Sequence, residues 1–574
     1  MFTKLNLKPT LLYLVPIIVA VALLVATLID RSLMGTFFIR SALYADLAMV
    51  GFFIAFSIPR FQRLTRESVL SAIKENWPGL TIALVITTAV ILAVAPGFRV
   101  LSDETNLLGV SKNLYFQRNA SLTINAKWYY DNLWPITTVI ERRPTLFPFF
   151  VMILHTFRGF RVDNAFLVNA AVIPLFIFIT YRFAKSLVGE TFGIAAAFLV
   201  IAHPITLMSA RAAGFDVIAA FFSVLVLKSF YEHSRNPNEE TLSFLWLYLC
   251  MMTHMRYEGM LTHALATGAL IALRLVKWSY IKPRLLFYSV TPLILLPRFW
   301  QAVVKAKDQE QPLSTSLFTI SYMKKNLSEY LALAKTPFHI SEPHNPLIIF
   351  LGLLGFVLAI IAVVQLLRKW KENIQLLKFT AFFVTWFAMS LTISFSYEWG
   401  RSLHPAAGRL FVLVDALFSL SAAFFITVVL KSYPRWIVAL CTGTFIFLAI
   451  PVAAEARFIN QLTLTRQASR CWKFFESLKE DRILVITERP ALYSVMDYGA
   501  VDFEAAKNDK SLLFELSRNL FRDIYVIQEI DLTTKKPTLA TELWPTVEKE
   551  SVLEFQNEPN LKVRISRVKH KDRY

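Results

Sequence analysis

The 574-residue sequence predicts an all-α polytopic membrane protein with a small α/β domain at its C-terminal end. Hydrophobic residues make up 55% of the chain and charged residues only 18%, whereas a soluble protein has about a quarter charged residues. About thirteen apolar runs approach the roughly twenty residues that a helix needs to cross a bilayer. After Ala454 the apolar runs become short and β-branched and alternate with helical stretches, which is typical of an α/β domain.

The first apolar run, Leu11–Ile29, follows Lys4 and Lys8 and lacks a small-residue cleavage site, so we expect a retained helix rather than a signal peptide. In chain order, the predicted spans lie near residues 11–29, 43–58, 79–97, 163–183, 190–207, 214–231, 243–255, 260–275, 285–303, 346–366, 378–396, 407–429 and 435–454.

Basic residues concentrate in alternate loops, at the N-terminus and after every second predicted span. The positive-inside rule therefore places the N-terminus in the cytoplasm and the C-terminal domain outside, and we expect a bacterial plasma membrane with a periplasmic domain. The same loops account for the net charge of +19 without nucleic acid as a partner. The three cysteines, Cys250, Cys441 and Cys471, form neither a disulfide framework nor a metal-ligand spacing.

The predicted domain boundary lies between residues 454 and 455. Beyond it, no Gly-rich phosphate loop, catalytic triad signature or zinc spacing is present. Covering the site, recognising an acceptor and structural support remain open as roles of residues 455–574. The predicted elements are helices at Arg470–Leu478 and Ser511–Leu520 and strands at Ile483–Ile486, Ile524–Ile527 and Val563–Ile565.

Unusual polar residues gather on the outer face, which holds the long loops 98–162 and 304–345. The first loop opens with the acid pair Asp103 and Glu104 and ends with the basic pair Arg142 and Arg143. Polar groups at this depth are costly unless they line a wet cavity, although any one of them alone could be an interfacial anchor or a helix cap. The others on this face are Arg211, Asp216, His254, Arg256, Glu258, His339, His344, Glu398, Arg401, His404 and Arg409.

Several motifs occur in order along the membrane part. They are Asp103–Glu104, Arg143-Pro144-Thr145-Leu146-Phe147-Pro148, the turn Tyr181–Gly189, His203-Pro204, Ala210-Arg211-Ala212-Ala213-Gly214-Phe215-Asp216, and Arg401–Arg409. Together they resemble the GT-C superfamily of membrane glycosyltransferases, in the branch of the protein O-mannosyltransferases and the lipid A aminoarabinose transferase. Two helices precede the one that leads to the acid pair, where the family usually has one.

The resemblance implies an enzyme that passes a sugar from a polyprenyl-phosphate donor to an acceptor hydroxyl, as a hexosyl- or pentosyltransferase. By resemblance Asp103 is the general base, and Glu104 orients the acceptor or the loop. One base implies inversion at the anomeric carbon. Lipid, glycan or protein could be the acceptor, with membrane lipids around the chain.

The leaving lipid phosphate needs cations, and arginine meets phosphate oxygens with a planar, permanently charged fork. The family places a phosphate-binding arginine in the segment that holds Arg401 and Arg409, with Arg142, Arg143 and Arg256 as further candidates. Expected supporting or acceptor-binding residues are Arg211, Asp216, Glu258 and His404, and Arg211 could pair with Asp216. We expect no cofactor and no essential metal, because the acid pair is not Asp-x-Asp and a monophosphate donor carries no diphosphate.

Three other functions remain open. A transporter or flippase of lipid-linked saccharides would have charges near mid-membrane, where Asp46 and Asp415 are isolated. A non-catalytic scaffold would not explain why Asp103 and the arginines gather on the outer face. A polymerase or ligase acting on lipid diphosphates would rely on Arg and His rather than an acid pair.

Overall fold

The computed structural model describes residues 9–129, 132–307, 318–337, 343–404, 406–455, 463–478, 482–509, 522–538 and 548–569. His339 and the predicted helix Ser511–Leu520 lie outside these residues. The chain divides into two compact units. We call residues 1–96, 142–150 and 165–457 the membrane unit, and residues 97–141, 151–164 and 458–574 the sheet unit.

The predicted fold class is confirmed, because the described chain is mostly helical and ends in a sheet domain. The helices are α1 (Pro9–Leu28), α2 (Arg31–Gln62), α3 (Arg66–Ala93), α4 (Glu104–Gln117), α5 (Leu146–Arg158), α6 (Asp163–Leu187), α7 (Glu190–Leu199), α8 (Pro204–Ser209), α9 (Asp216–Arg235), α10 (Glu239–Met255), α11 (Gly259–Ala272), α12 (Trp278–Ile281), α13 (Leu285–Lys307), α14 (Ile320–Ala332), α15 (Pro346–Arg368), α16 (Ile374–Ser396), α17 (Val412–Val429), α18 (Pro434–Gly443), α19 (Ile450–Ala454), α20 (Thr463–Leu478), α21 (Ala491–Ser494) and α22 (Phe503–Asn508).

The protein is a multi-pass membrane protein. Among the described residues, eight helices are long and apolar enough to cross a membrane, and four further apolar helices are shorter. The eight are Arg31–Gln62, Arg66–Ala93, Asp163–Leu187, Asp216–Arg235, Pro346–Arg368, Ile374–Ser396, Gly408–Val429 and Pro434–Ala454. The predicted count of about thirteen spans is a count of apolar runs, several of which form shorter helices.

Capping residues rather than the apolar runs fix where several helices begin. The side chain of Asp30 accepts a hydrogen bond from the Ser32 N–H, and Thr65 forms a capping box with Ser68. Both helices therefore start about twelve residues before the predicted span. Pro204 interrupts a predicted span instead, since the run 190–207 forms two helices, α7 and α8, with Pro204 at the start of the second.

The core of the membrane unit surrounds α9, most of whose side chains are buried. Phe230 of α9 stacks on Phe382 of α16 with ring centroids 3.9 Å apart. Helices α15 and α17 approach closely at Gly355, where a Cβ atom would lie 2.0 Å from the Ser421 carbonyl oxygen. Small residues permit this close packing of helices in a membrane.

The sheet unit contains seven strands in the order β2-β1-β4-β3-β5-β7-β6. Strands β3, β4 and β5 are parallel, whereas β1, β2, β6 and β7 pair antiparallel. The strands are β1 (Ser121–Tyr129), β2 (Asn132–Ile140), β3 (Leu484–Ile486), β4 (Gly499–Val501), β5 (Ile524–Asp531), β6 (Glu548–Glu558) and β7 (Leu561–Lys569).

The β1–β2 hairpin comes from the loop between spans, and it pairs with a strand from the C-terminal part of the chain. Ala126 bridges to Ala500, and the Asn125 amide exchanges two hydrogen bonds with Asp502, at 2.8 and 3.0 Å. The domain boundary between residues 454 and 455 stays a prediction. The sheet contains strands from both sides of that boundary.

Candidate functional site

Asp216, at the first residue of α9, lies between two buried arginines of the membrane unit. Its Oδ1 is 3.8 Å from Arg256 Nη1 and its Oδ2 is 3.7 Å from Arg409 Nη1. Arg256 occupies the turn between α10 and α11, and Arg409 the 3-10 turn that opens α17. Three helix ends thus bring these charges together, and all three side chains are nearly excluded from solvent.

Arg256 is held at two of its three nitrogens. Its Nε donates to Glu258 Oε2 at 2.9 Å, and its Nη2 donates to the Leu410 carbonyl at 3.3 Å. Its buried Nη1 has no hydrogen-bond partner among the residues that the structure describes. Because a buried guanidinium normally has its donors satisfied, this nitrogen marks a place where an anionic ligand oxygen would be stabilised.

The turn that carries Arg211 braces this site. Arg211 Nε donates to the Val94 carbonyl at 3.0 Å, and Asn169 Nδ2 donates to the carbonyls of Ala212 and Gly214. Arg211 therefore bonds the end of α3, and Asp216 has other arginine partners, so the pairing of Arg211 with Asp216 considered above is not what the described residues show.

The basic pair Arg142 and Arg143 lies within electrostatic range of Tyr397, the residue after α16. Burial raises the pKa of Tyr397, the carboxylate of Glu398 raises it further, and Arg142 opposes the rise. Glu258 also raises this pKa and Arg143 also lowers it, each by a smaller effect. Because Glu258 also bonds Arg256, Tyr397 lies within electrostatic range of both the basic pair and a residue that contacts the Asp216 cluster.

Arg298 belongs to the same region and was missed in the sequence. It is 4% exposed, its Nη1 donates to Gln301 Oε1 at 2.6 Å, and Gln301 donates to the Arg143 carbonyl. Its guanidinium lies 5.4 Å from the ring centroid of Tyr257, in the range of a cation–π contact. The available signal was an isolated arginine beside Pro297 within the apolar run 285–303.

The acid pair belongs to the sheet unit, at the start of α4. Asp103 is half-buried and follows Ser102, whose φ is +69°. Glu104 is 1% exposed, and its Oε2 accepts the backbone N–H of Arg99 at 2.9 Å. Glu104 thus fixes the loop that presents Asp103, while the catalytic role of Asp103 stays a prediction.

The remaining predicted residues have other environments. Arg401 is exposed. His404 Nδ1 accepts the N–H groups of Ala406 and Ala407, at 3.2 and 3.4 Å, so it orders the turn that leads to Arg409. Of the two arginines favoured by the sequence, Arg409 is the one that joins the buried cluster.

One group of residues has the types that bind metals. His203, His344 and Asp415 are fully buried in the membrane unit and place ligand atoms within 4.8 Å of one another. The same atoms take part in hydrogen bonds. The Asn345 N–H donates to His203 Nδ1, the Tyr330 hydroxyl donates to Asp415 Oδ1, and His344 Nδ1 bonds Asp415 Oδ2. The group forms a buried hydrogen-bond network, and the expected absence of an essential metal stays a prediction.

No family model matches the sequence, and no curated protein matches it. Several solved structures do match. ArnT from Cupriavidus metallidurans, bound to undecaprenyl phosphate, is 12% identical with a TM-score of 0.46, over 86% of this chain and 98% of that chain. The Archaeoglobus fulgidus oligosaccharyltransferase, tethered with an acceptor peptide, is 12% identical with a TM-score of 0.45, over 81% of this chain and 70% of that chain.

A third match is the mycobacterial arabinofuranosyltransferase AftD, 12% identical with a TM-score of 0.40, over 87% of this chain and 40% of that chain. The matched proteins are GT-C glycosyltransferases. This is the superfamily that the sequence motifs resemble. Since the TM-scores lie below 0.5, the functional argument below rests on the residues of this chain.

Proposed function

We propose that this protein is a membrane glycosyltransferase that moves a sugar from a polyprenyl-phosphate donor to an acceptor hydroxyl on the exoplasmic face. The observation that carries the proposal is the buried Arg256 nitrogen without a hydrogen-bond partner among the described residues, beside Asp216 and Arg409. A lipid phosphate supplies the oxygen that this nitrogen lacks.

The charges around this nitrogen favour a phosphate. Arg256, Arg409 and Arg298 provide three positive charges, and Asp216 and Glu258 provide two negative charges. The cluster therefore keeps a net positive charge at a depth where a charge is costly without a counter-ion. A phosphate monoester neutralises it, and its developing charge is stabilised as the glycosidic bond breaks.

In the proposed reaction, the acceptor hydroxyl gives its proton to the Asp103 carboxylate while its oxygen attacks the anomeric carbon. The bond from that carbon to the phosphate oxygen breaks, and the polyprenyl phosphate leaves with the bonding electrons. The arginines hold the leaving phosphate, and Glu104 keeps the Asp103 loop in place. A single displacement of this kind inverts the anomeric carbon.

The test is a transfer assay on the full chain in detergent, with a panel of radiolabelled polyprenyl-phosphate sugars and the variant Arg409→Gln. We expect turnover of at least one donor and a donor KM raised about tenfold or more in the variant, because one charge-assisted contact to phosphate is lost. Arg435→Gln, an exposed arginine at the start of α18, is the matched control and should behave as wild type.

Turnover with an unchanged donor KM in Arg409→Gln would remove Arg409 from the phosphate site. Saturable donor binding without turnover of any donor would contradict the transferase and favour the transporter.

A further inference from the structure

Arg409 lies between two segments of chain that one buried histidine joins. His344 precedes α15, and its Nε2 lies 3.0 Å from the carbonyl oxygen of Ser402, which comes before Arg409 in the chain. Its Nδ1 lies 2.8 Å from Oδ2 of Asp415, which comes after Arg409 in the first turn of α17. His344, Ser402 and Asp415 are all buried. A single imidazole therefore bridges the chain on both sides of the arginine.

The partners of His344 determine where its hydrogens lie. A carbonyl oxygen only accepts hydrogen bonds, so Nε2 carries a hydrogen and donates it to Ser402. Nδ1 and Asp415 Oδ2 share a further proton, because two bare acceptors do not approach to 2.8 Å. The Tyr330 hydroxyl donates to the other oxygen of Asp415 at 2.7 Å. Since these groups are buried, the loss of one of these bonds leaves a polar atom unsatisfied.

The Ser402 carbonyl also packs inside the turn that carries Arg409. The Gly408 N–H donates to the His404 carbonyl at 2.8 Å, and a Cβ atom on Gly408 would lie 2.7 Å from the Ser402 carbonyl oxygen. A larger residue at position 408 therefore displaces this oxygen. Because Arg409 directly follows Gly408, the bond that holds the oxygen also holds the turn from which the guanidinium projects.

The segment of the histidine is itself anchored to the chain that leads to Asp216. The Ile205 N–H donates to the Pro343 carbonyl at 2.7 Å, and Asn345 Nδ2 donates to the Ala202 carbonyl at 2.9 Å. These bonds fix the segment at the start of α8. The next long helix, α9, opens with Asp216, which faces the arginine. Both members of the ion pair are thus held by segments that meet at the histidine.

We propose that His344 is a positioning residue, which holds Arg409 towards the lipid phosphate through the Ser402 carbonyl. The inference rests on the proposed function, because it concerns the same phosphate site. When the bond to Ser402 is lost, the turn opens more often and the guanidinium is less often in place to bind the phosphate. The consequence is a weaker affinity for phosphate in a chain that remains folded.

Two substitutions of His344 separate its two hydrogen bonds. In His344→Gln the amide nitrogen reaches the position of Nε2, so it keeps the bond to Ser402. In His344→Asn the amide nitrogen takes the position of Nδ1, so it keeps the bond to Asp415 and loses the bond to Ser402. The matched control is His233→Asn. It removes the same kind of bond, from a buried histidine Nε2 to the Leu275 carbonyl at 3.0 Å, near the other end of α9.

The test measures hydrogen exchange of residues 406–411 by mass spectrometry and the affinity for undecaprenyl phosphate, on the full chain in detergent. We expect His344→Asn to exchange these amides about tenfold or more faster and to bind undecaprenyl phosphate about tenfold or more weakly. His344→Gln and His233→Asn should stay within about twofold of wild type in both measurements. Unchanged thermal unfolding establishes that the variants are folded.

Gly408→Ala is a second route to the same change, because its added Cβ displaces the Ser402 oxygen while His344 is intact. It should reproduce both the faster exchange and the weaker affinity, and it replaces His344→Asn if that variant does not fold.

Four results would each overturn the positioning role. They are unchanged exchange in folded His344→Asn or Gly408→Ala, faster exchange with an unchanged affinity, an equal loss in His344→Gln, and an equal loss in His233→Asn. A wild type that does not bind undecaprenyl phosphate would instead contradict the proposed function, and the exchange rates would then decide by themselves whether His344 holds the turn.

Discussion

Arg256 is the residue on which the electrostatics of the candidate site depend. It contacts Glu258, Leu410 and Asp216, which lie on three different segments, and it is 3% exposed. The sequence predicts that these segments lie on one face of the membrane, because basic loops alternate with polar ones. It could not show which side chains meet, since the contacts depend on how helix ends are arranged in space.

The same limit explains what was missed at the residue scale. Arg298 lies inside an apolar run, and Tyr257 and Tyr397 are aromatic residues near span ends, where such residues are common. Only the folded chain shows that Arg298 faces Tyr257 and bonds Gln301.

His155 gives a pH-dependent prediction for the sheet unit. It lies on α5, which is too short to span, and burial lowers its pKa to about 4 from 6.5. Its ring bonds Ser111 and Asn164, at 3.1 and 2.8 Å, in the neutral form. Because the folded pKa lies below the unfolded one, its stabilising contribution is complete above pH 6.5 and is lost as the pH falls towards 4.

Between pH 6.5 and pH 4, we expect the free energy of unfolding of the wild type to fall by up to about 3 kcal/mol through His155. The variant His155→Gln should lack this part of the fall. Unfolding temperatures measured from pH 7 to pH 4 check this. Equal pH dependence of the two proteins in this window would show that His155 is not the responsible group.

At the scale of elements, the β1–β2 hairpin links the loop of the acid pair to the C-terminal part of the chain. Lys112 of α4 bonds the Ser494 carbonyl and pairs with Asp497, at 2.7 and 2.6 Å. Asn125 and Asp502 join β1 to the start of α22. The sheet unit therefore supports the segment that presents Asp103.

Asn125→Ala and Asp502→Ala should each destabilise the sheet unit by about 1–2 kcal/mol, because a partly buried polar partner is left unsatisfied. The double variant should lose less than the sum of the two single losses, because each single variant removes the hydrogen bond from Asn125 Nδ2 to Asp502 Oδ2. Asp502→Ala keeps the bond that its backbone N–H donates to Asn125 and loses its cap on the Ala505 N–H. Asn132→Ala, at the exposed end of β2, is the control. Additive losses in thermal unfolding would contradict a direct interaction.

The hairpin was not predicted from the sequence, whereas β3, β5 and β7 were. The predicted strands are buried β-branched runs, which sequence patterns reveal. Strand β2 is mostly exposed and contains Pro135, and both are features of an edge strand. Strand β1 joins the sheet through Ala500, which lies 374 residues after its partner Ala126. Its pairing is tertiary, so local sequence does not encode it.

At the scale of the whole molecule, the alternation of basic loops predicts the orientation. The three native cysteines are buried, so added cysteines report accessibility with little background. Lys507→Cys, exposed on α22, should react with a membrane-impermeant thiol reagent in intact cells, whereas Lys371→Cys, exposed after α15, should react only after lysis. The reverse pattern would contradict the predicted topology.

The central claim is that Asp103 is the base of a transfer from a lipid-phosphate sugar. The most direct measurement is the release of polyprenyl phosphate from a radiolabelled donor by wild type, Asp103→Asn and the control Asp163→Asn, a carboxylate in a largely exposed pair with Arg158. The account predicts a kcat lowered about a hundredfold or more in Asp103→Asn, with normal insertion and unfolding, and full activity in Asp163→Asn. Equal turnover by wild type and Asp103→Asn would contradict it.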